Sequence, residues 1–339
     1  MDFKRILGHK KEIDMLQRAM RSGRLHHAYL FTGPEGIGKK EVAFAFARAL
    51  NCASPVDNGL DSCGSCNDCS MMDARAHPNL ACVYPTDKDG ERCAEGLIRI
   101  EDVRQVQGVL RYRAMRGKKI AVIDDSEKMM PAAANAFLKT LEEPPPDSMI
   151  ILVTQHPAGL LPTILSRCQR IGFRPLPKQA VQAFLMETPG MGAEAAEGLA
   201  GISSGSLSLA VRYSDSEACE KKLEYVKRLF LLEPKEEDLA LKLAEEISKR
   251  DDLDEILEFV KMCLRRAALS MEGVGLDAHF QCGQDRPKWA VDSNKIISSY
   301  SLAEEARRSV LPPRYANKLL ALEALFLNLI AADCRAEEC

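Results

Sequence analysis

Short apolar runs alternate with amphipathic stretches through the first half of the chain, whereas the second half carries helical periodicity alone. The run Ala28-Tyr29-Leu30-Phe31 reads as a buried strand, and Glu41 to Leu50 follows as a helix with Val42, Phe46 and Ala49 on one face. Leu97 to Ile100 is expected as a strand ahead of a helix from Glu101, whose Val103, Val106 and Leu110 face inward. Ile120 to Ile123 and Met149 to Val153 are further buried strands. Between them Pro131 suits the first turn of a helix running to Glu143, and Pro144-Pro145-Pro146 stops it. A leading helix is expected within Ile6 to Arg21, where Ile13, Leu16 and Met20 recur at helical spacing, and a short one over Leu160 to Leu165. Such alternation predicts an α/β domain: a parallel sheet with helices on both faces, and ligands at the C-terminal ends of its strands.

From Pro175 the strand signals vanish. Lys178 to Glu187 and Ala193 to Ala200 read as small helices, with Gly201 to Gly205 as a turn. Leu223 to Leu232, Glu236 to Arg250, Leu253 to Met271 and Tyr315 to Ala332 read as longer helices, with turn signals at Glu233-Pro234 and Pro312-Pro313. Three parts are expected: an α/β domain at 1–172, a small helical domain at 173–213 and an all-α domain at 214–339.

Composition narrows the class. The 339 residues exceed one ordinary domain, and a hydrophobic share of 46% suffices for several cores. No run of about eighteen apolar residues is present to span a bilayer. A formal charge of −3 argues against wholesale coating of nucleic acid while leaving room for a local basic stripe. No apolar signal region follows Met1-Asp2-Phe3-Lys4-Arg5, so a cytoplasmic location is expected. In that reducing setting, twelve cysteines are ligands or buried thiols rather than a disulfide scaffold.

Candidate chemistry begins directly after the first strand. Gly33-Pro34-Glu35-Gly36-Ile37-Gly38-Lys39-Lys40 is a glycine-rich loop ending in Gly-Lys at the start of a helix, where loop amides and the helix N-terminus converge on a phosphate. The eighth position, which should be a Ser or Thr holding Mg²⁺, is Lys40. The strand Ile120 to Ile123 ends in Asp124-Asp125, as a strand bearing an Mg²⁺-associated Asp and a water-polarising acid would, although two acids also suit an ordinary solvated turn. Asp125 is shorter than the Glu usual at the second position. Thr154 stands at a strand end where it can sense a terminal phosphate, and is equally an unremarkable strand residue. Arg167, between Ser166 and Cys168 at a turn beyond the sheet, is either a solvated surface cation or an arginine finger for a neighbour's phosphates.

Cys52, Cys63, Cys66 and Cys69 lie in a polar insertion, 52–69, that cannot build a core by itself. The double Cys-x₂-Cys spacing with Cys52 upstream suits a closed tetrahedral, structural Zn²⁺ site, whose binding would supply the folding free energy the loop lacks. Arg104, Arg111, Arg113, Arg116, Lys118 and Lys119 form a basic stripe that is a phosphate-backbone contact or a solvated face. His26, His27 and His77 lack partners at catalytic spacing.

Three segments then bring a family into view. Leu25 to Gly33, Ala132 to Pro145 (AAANAFLKTLEEPP) and Leu165-Ser166-Arg167-Cys168 strongly resemble the bacterial DNA polymerase III clamp loader, densely to about Ser206 and thinly beyond, and the four-cysteine insertion fits as well. The resemblance implies an AAA+ module, with a P-loop domain and a helical lid, and then a collar that assembles five subunits. It also implies gamma or tau and delta subunits as ring partners, with a sliding clamp and primer–template DNA, and no membrane. Within that family the ATPase pattern is departed from at Lys40, at Asp125 and at Ser208, which stands where the motif Gly205-Ser206-Leu207-Ser208 would end in a phosphate-sensing Arg. Arg167 is kept. The resemblance therefore implies a delta prime-type subunit, weak or inactive in ATP hydrolysis although ATP or ADP can still bind, and serving a neighbour in trans. The length suits that type. The alternative is a gamma- or tau-type ATPase that tolerates the departures.

Overall fold

The computed structural model describes residues 2–93, 96–188, 191–214, 216–250, 252–272, 287–310 and 316–331. Two compact units emerge, one of Met1–Val181 with Ser204–Ser208 and one of Gln182–Ser203 with Leu209–Cys339.

The first unit is built on a five-stranded sheet. In chain order it contains α1 (Lys10–Ser22), β1 (Ala28–Thr32), α2 (Lys39–Asn51), α3 (Asn67–Asp73), β2 (Leu80–Val83), α4 (Ile100–Leu110), β3 (Lys119–Ile123), α5 (Pro131–Glu142), β4 (Ser148–Thr154), α6 (Pro162–Leu165) and β5 (Gln169–Gly172). The strand order is β2-β3-β4-β1-β5, with every pairing parallel. Alternate residues of each central strand feed opposite faces, as the pleat requires. Tyr29, Phe31, Ile120, Val122, Ile151 and Val153 pack with Leu16 of α1 and Val42 and Phe46 of α2. Leu30, Ala121, Ile123, Ile150 and Leu152 pack on the other side with Val103, Val106 and Leu110 of α4 and Phe137 and Leu141 of α5. Both faces are covered, which is why β1, β3 and β4 read as continuous apolar runs.

Local chemistry sets the boundaries. Gly8 and His9 both take left-handed backbone conformations, so α1 starts at Lys10 rather than at Ile6. The expected strand at Leu97 to Ile100 is absent. Leu97 and Ile98 form single bridges, to Thr86 and Met129, and the Asp102 carboxylate accepts the Arg99 amide at 2.7 Å, turning the chain into α4. Conversely β2 and β5 were not foreseen. β2 is only four residues long, and β5 is a sheet edge with Ile171 its single buried residue.

Beyond β5 follow α7 (Lys178–Met186), α8 (Ala193–Ile202) and α9 (Leu207–Tyr213). The second unit continues with α10 (Ser216–Leu231), α11 (Glu237–Ser248), α12 (Leu253–Met271), α13 (Ser293–Val310) and α14 (Lys318–Ile330). In it α12 packs on α13 and α11 on α14, burying Leu257, Leu264, Ile296, Leu243 and Phe326. The Lys261 ammonium joins α12 to α13, lying 2.8 Å from Glu258 and 2.5 Å from Glu304. The sequence pattern does not disclose α9, whose seven residues are too few to carry a helical period, or α13, where polar residues interrupt the apolar spacing. Tyr315, Ala332 and Pro312-Pro313 lie outside the described residues. Among those described, no helix is long and apolar enough to cross a membrane.

Candidate functional site

The strand order places the C-terminal ends of β1, β4 and β3 side by side, where ligands bind in open parallel sheets. The loop Gly33 to Gly38 leaves β1 and enters α2, so its amides stand at the N-terminus of a thirteen-residue helix. Gly36 has a φ of 70°, and a Cβ there would lie 2.3 Å from Ser206 Oγ and 2.7 Å from Ser208 Cβ. A Cβ on Gly33 would meet the Phe173 carbonyl oxygen at 2.5 Å. Only glycine fits at either position.

The carbonyls of this loop are occupied by the protein itself. Lys39 Nζ donates to Gly33 and Pro34 at 2.7 and 2.6 Å, the Ser208 amide donates to Gly36 at 3.2 Å, and His9 Nε2 lies 2.7 Å from the Ile37 oxygen. His9 also packs edge-on against Phe173, with ring centroids 5.0 Å apart. Burial pushes the Lys39 ammonium below its ordinary pKa, against the opposing pull of Glu127, Asp125, Asp124 and Glu35. Ser208, at the position of an expected phosphate-sensing Arg, is thus a backbone brace for the loop.

Lys40 does more than lack a hydroxyl. Its Nζ is 2.7 Å from Asp124 Oδ2, and Arg92 Nη2 reaches the same oxygen at 3.1 Å. Asp124 was expected to hold Mg²⁺. An ion of that kind needs oxygen ligands at about 2.0–2.1 Å in an octahedron, and an ammonium offers only donors. With two cations on Asp124 Oδ2, these residues do not fit the metal. The glycine positions and the N-terminus of α2 do fit an anion, whereas the Lys39 ammonium is turned onto the Gly33 and Pro34 carbonyls.

Asp125 takes a left-handed φ of 44° and lies 3.3 Å from Lys128 Nζ. Burial raises its carboxyl pKa, Lys128 opposing. Thr154 is fully buried, and its hydroxyl accepts the His156 amide at 3.0 Å, which ties it to the turn after β4. Glu127 accepts the Gln155 amide at 3.2 Å through Oε1, while its buried Oε2 finds no hydrogen-bond partner among the described residues. Sequence reasoning missed His9, Arg92 and Glu127. No local pattern marks them, since Arg92 meets Asp124 across 32 residues and His9 meets Ile37 across 28.

Arg167 lies outside this cleft, in the turn between α6 and β5. Its guanidinium bonds the Thr163 carbonyl at 2.9 Å and Glu142 Oε1 at 2.8 Å, and a third of the side chain is exposed. The basic stripe is largely answered by acids or buried. Arg116 pairs with Asp68, Arg113 and Lys118 each lie 3.9 Å from Asp147, and Lys119 Nζ donates to the Pro78 carbonyl at 2.8 Å.

A second site lies where α2 ends and α3 begins. The sulfurs of Cys52, Cys63, Cys66 and Cys69 all fall within 4.8 Å of one another, and the closest pairs are 3.5 to 3.9 Å apart. Four sulfurs about 2.3 Å from a tetrahedral ion stand ~3.8 Å apart, so the cluster can hold a metal ion. Backbone amides support it: those of Cys63, Cys66 and Cys69 donate to the sulfurs of Cys52, Cys63 and Cys66 at 3.3, 3.4 and 3.5 Å. The Ser65 and Cys66 amides draw the Cys63 thiol down to about 6, whereas burial pushes Cys52 up to about 12. The buried Arg48 of α2 faces the cluster beside Cys69, and its Nη1 bonds both oxygens of Asp73 at 2.7 Å.

A family model described as DNA polymerase III, delta subunit matches residues 8–177. The delta prime subunit of DNA polymerase III from Pseudomonas aeruginosa is 36% identical over 203 residues, 59% of this chain and 59% of that protein. The Bacillus subtilis delta prime subunit is 35% identical over 175 residues, 51% of this chain and 50% of the relative. The Bacillus subtilis tau subunit is 34% identical over 181 residues, covering 53% of this chain and 30% of that one. The chain thus spans between half and three-fifths of the delta prime relatives it matches. Since the family model takes in half of the sequence, the chain belongs to the DNA polymerase III delta subunit family.

Proposed function

We propose that this chain is a delta prime-type subunit of a clamp loader. It would act in the cytoplasm in a hetero-pentameric ring with gamma or tau and delta subunits, helping to place a sliding clamp on primer–template DNA during replication. Residues 1–172 form its AAA+ domain, 173–213 its lid and 214–339 the collar through which it assembles. The four cysteines hold a structural Zn²⁺, which their spacing and Sγ separations support.

The observation that carries this reading is the contrast between Asp124, neutralised by Lys40 and Arg92, and Arg167, carried outside the sheet with part of its guanidinium accessible. A chain with this cleft hydrolyses ATP weakly or not at all. Arg167 instead serves a neighbouring subunit, where its charge stabilises the transferring phosphoryl group. Glu142 and the Thr163 carbonyl hold the guanidinium in place until that neighbour docks.

The test is hydrolysis by the reconstituted loader. With Arg167→Ala, turnover at the site it serves should fall by about three to five orders of magnitude. Unchanged DNA-stimulated hydrolysis would reject the reading. The retained loop glycines and Lys39 keep one other assignment open, a gamma- or tau-type ATPase. Turnover by the isolated chain that disappears with Lys39→Ala would favour it.

A further inference from the structure

The two basic residues on Asp124 are unlike a merely missing metal ligand. Lys40 is the second residue of α2 and Arg92 belongs to the segment between β2 and α4, yet both reach one carboxylate oxygen at the end of β3, at 2.7 and 3.1 Å. Loss of a hydroxyl needs no charge in its place. Here the position where a metal-ligating hydroxyl is expected is taken by an ammonium aimed at the carboxylate that would hold the metal. Arg92 is steadied by the Tyr84 ring, 5.0 Å from its guanidinium carbon. The charges around the phosphate loop are then matched within the chain: Lys39, Lys40, Arg92 and Lys128 are set against Asp124, Asp125, Glu127 and Glu35. A divalent cation would have to displace two cations from Asp124 Oδ2 and then remain within a few ångströms of both.

We propose that Lys40, seconded by Arg92, is a built-in replacement for the divalent cation. The loop's response to a polyphosphate is therefore indifferent to magnesium, and the Lys40–Asp124 pair clamps the start of α2 to the end of β3 permanently, where a metal would do so only with nucleotide bound. The probe is ATP, titrated against the isolated full chain in excess magnesium and in EDTA, with a melting curve for each variant. Wild type should behave alike in the two buffers, within about twofold, whether it binds ATP or not. The variant Lys40→Ser/Arg92→Gln restores the hydroxyl and frees Asp124, and should acquire an affinity at least about tenfold tighter in magnesium than in EDTA. Lys40→Ser alone leaves Arg92 on Asp124, keeps the carboxylate neutralised if the double variant is unstable, and should gain a smaller magnesium response. Wild-type binding that collapses in EDTA overturns the proposal. So do folded variants that remain as blind to magnesium as wild type. The measurement needs no partner subunit, so its failure and that of the Arg167 assignment are separate results.

Discussion

The glycine-rich loop after β1 and the cysteine cluster are both places where the sequence pattern predicts a metal ion, and they have opposite electrostatic accounts. In the cleft every strand-end acid has a cation of the same chain nearby, and Asp124 has two within 3.1 Å. In the cluster four sulfurs lie within 4.8 Å with Arg48 as the nearby cation, and that Arg is shared with Asp73. One region has answered its charge internally. The other gathers donors that would repel as thiolates, in a segment too polar to be held by burial. Need for a metal is thus read from the balance of charge around the donors, and less from the presence of a motif.

The sharpest way to break this comparison is to expose both sites to a chelator. Chelation, or Cys69→Ser, should loosen the insertion 52–69 and the packing of α3 on α2. Metal binding in such modules is their folding free energy, about 10 kcal/mol or more for small zinc domains, although here the sheet should survive. Metal content and limited proteolysis within 52–69 are the measurements. The cleft should register nothing. Wild-type protein isolated under reducing conditions with no bound zinc, or an insertion equally resistant to protease after chelation, would place the two regions in one class.

A middle-sized effect comes from removing the shared acceptor in the cleft. Asp124→Asn leaves Lys40 and Arg92 facing each other without their carboxylate. Arg92 is more than half exposed and can turn to solvent, whereas the Lys40 side chain is 28% exposed and less free to leave. The cost should be about 1–2 kcal/mol, between a surface pair and a fully buried one. Urea unfolding measures it. A neutral substitution would mean that the ion pairs do not brace the loop.

These two regions also differ in how far the sequence disclosed them. The four cysteines are close together in the chain and their spacing is a local signal, so the cluster was legible complete. The glycine-rich turn between β1 and α2, the acids after β3 and the apolar faces of α2 and α5 were legible for the same reason, because a period or a motif lies within a dozen residues. What escaped is long-range. Lys40 reads as a lost ligand, but its pairing with Asp124 crosses 84 residues, and Arg92 sits in a segment with no pattern of its own. The edge strands β2 and β5 escaped because a short edge strand takes its definition from the neighbour it pairs with rather than from its own composition. Leu97 and Ile98 erred in the other direction: they are apolar enough for a strand, but Asp102 caps the helix that begins two residues later.

The smallest effect tests how complete the internal neutralisation is. Among the described residues Asp125 forms its ion pair with Lys128, at 3.3 Å, and burial raises its carboxyl pKa above the ordinary 3.8 despite that cation. A carboxyl with a raised folded-state pKa binds its proton more tightly in the native chain. Between 3.8 and that raised pKa the native state holds more protons than the unfolded one, so this group's contribution to stability falls as pH rises through that window. Asp125→Asn removes the ionisation and tolerates the left-handed backbone there, at φ 44°. The variant should match wild type in acid below the window and be the more stable of the two at neutral pH, by less than about 1 kcal/mol because the group is only partly shielded from solvent. Paired urea titrations across that range read the difference directly. If the gap between variant and wild type does not open with rising pH, then Lys128 compensates Asp125 as fully as Lys40 and Arg92 do Asp124, and the cleft is neutral at both acids rather than at one.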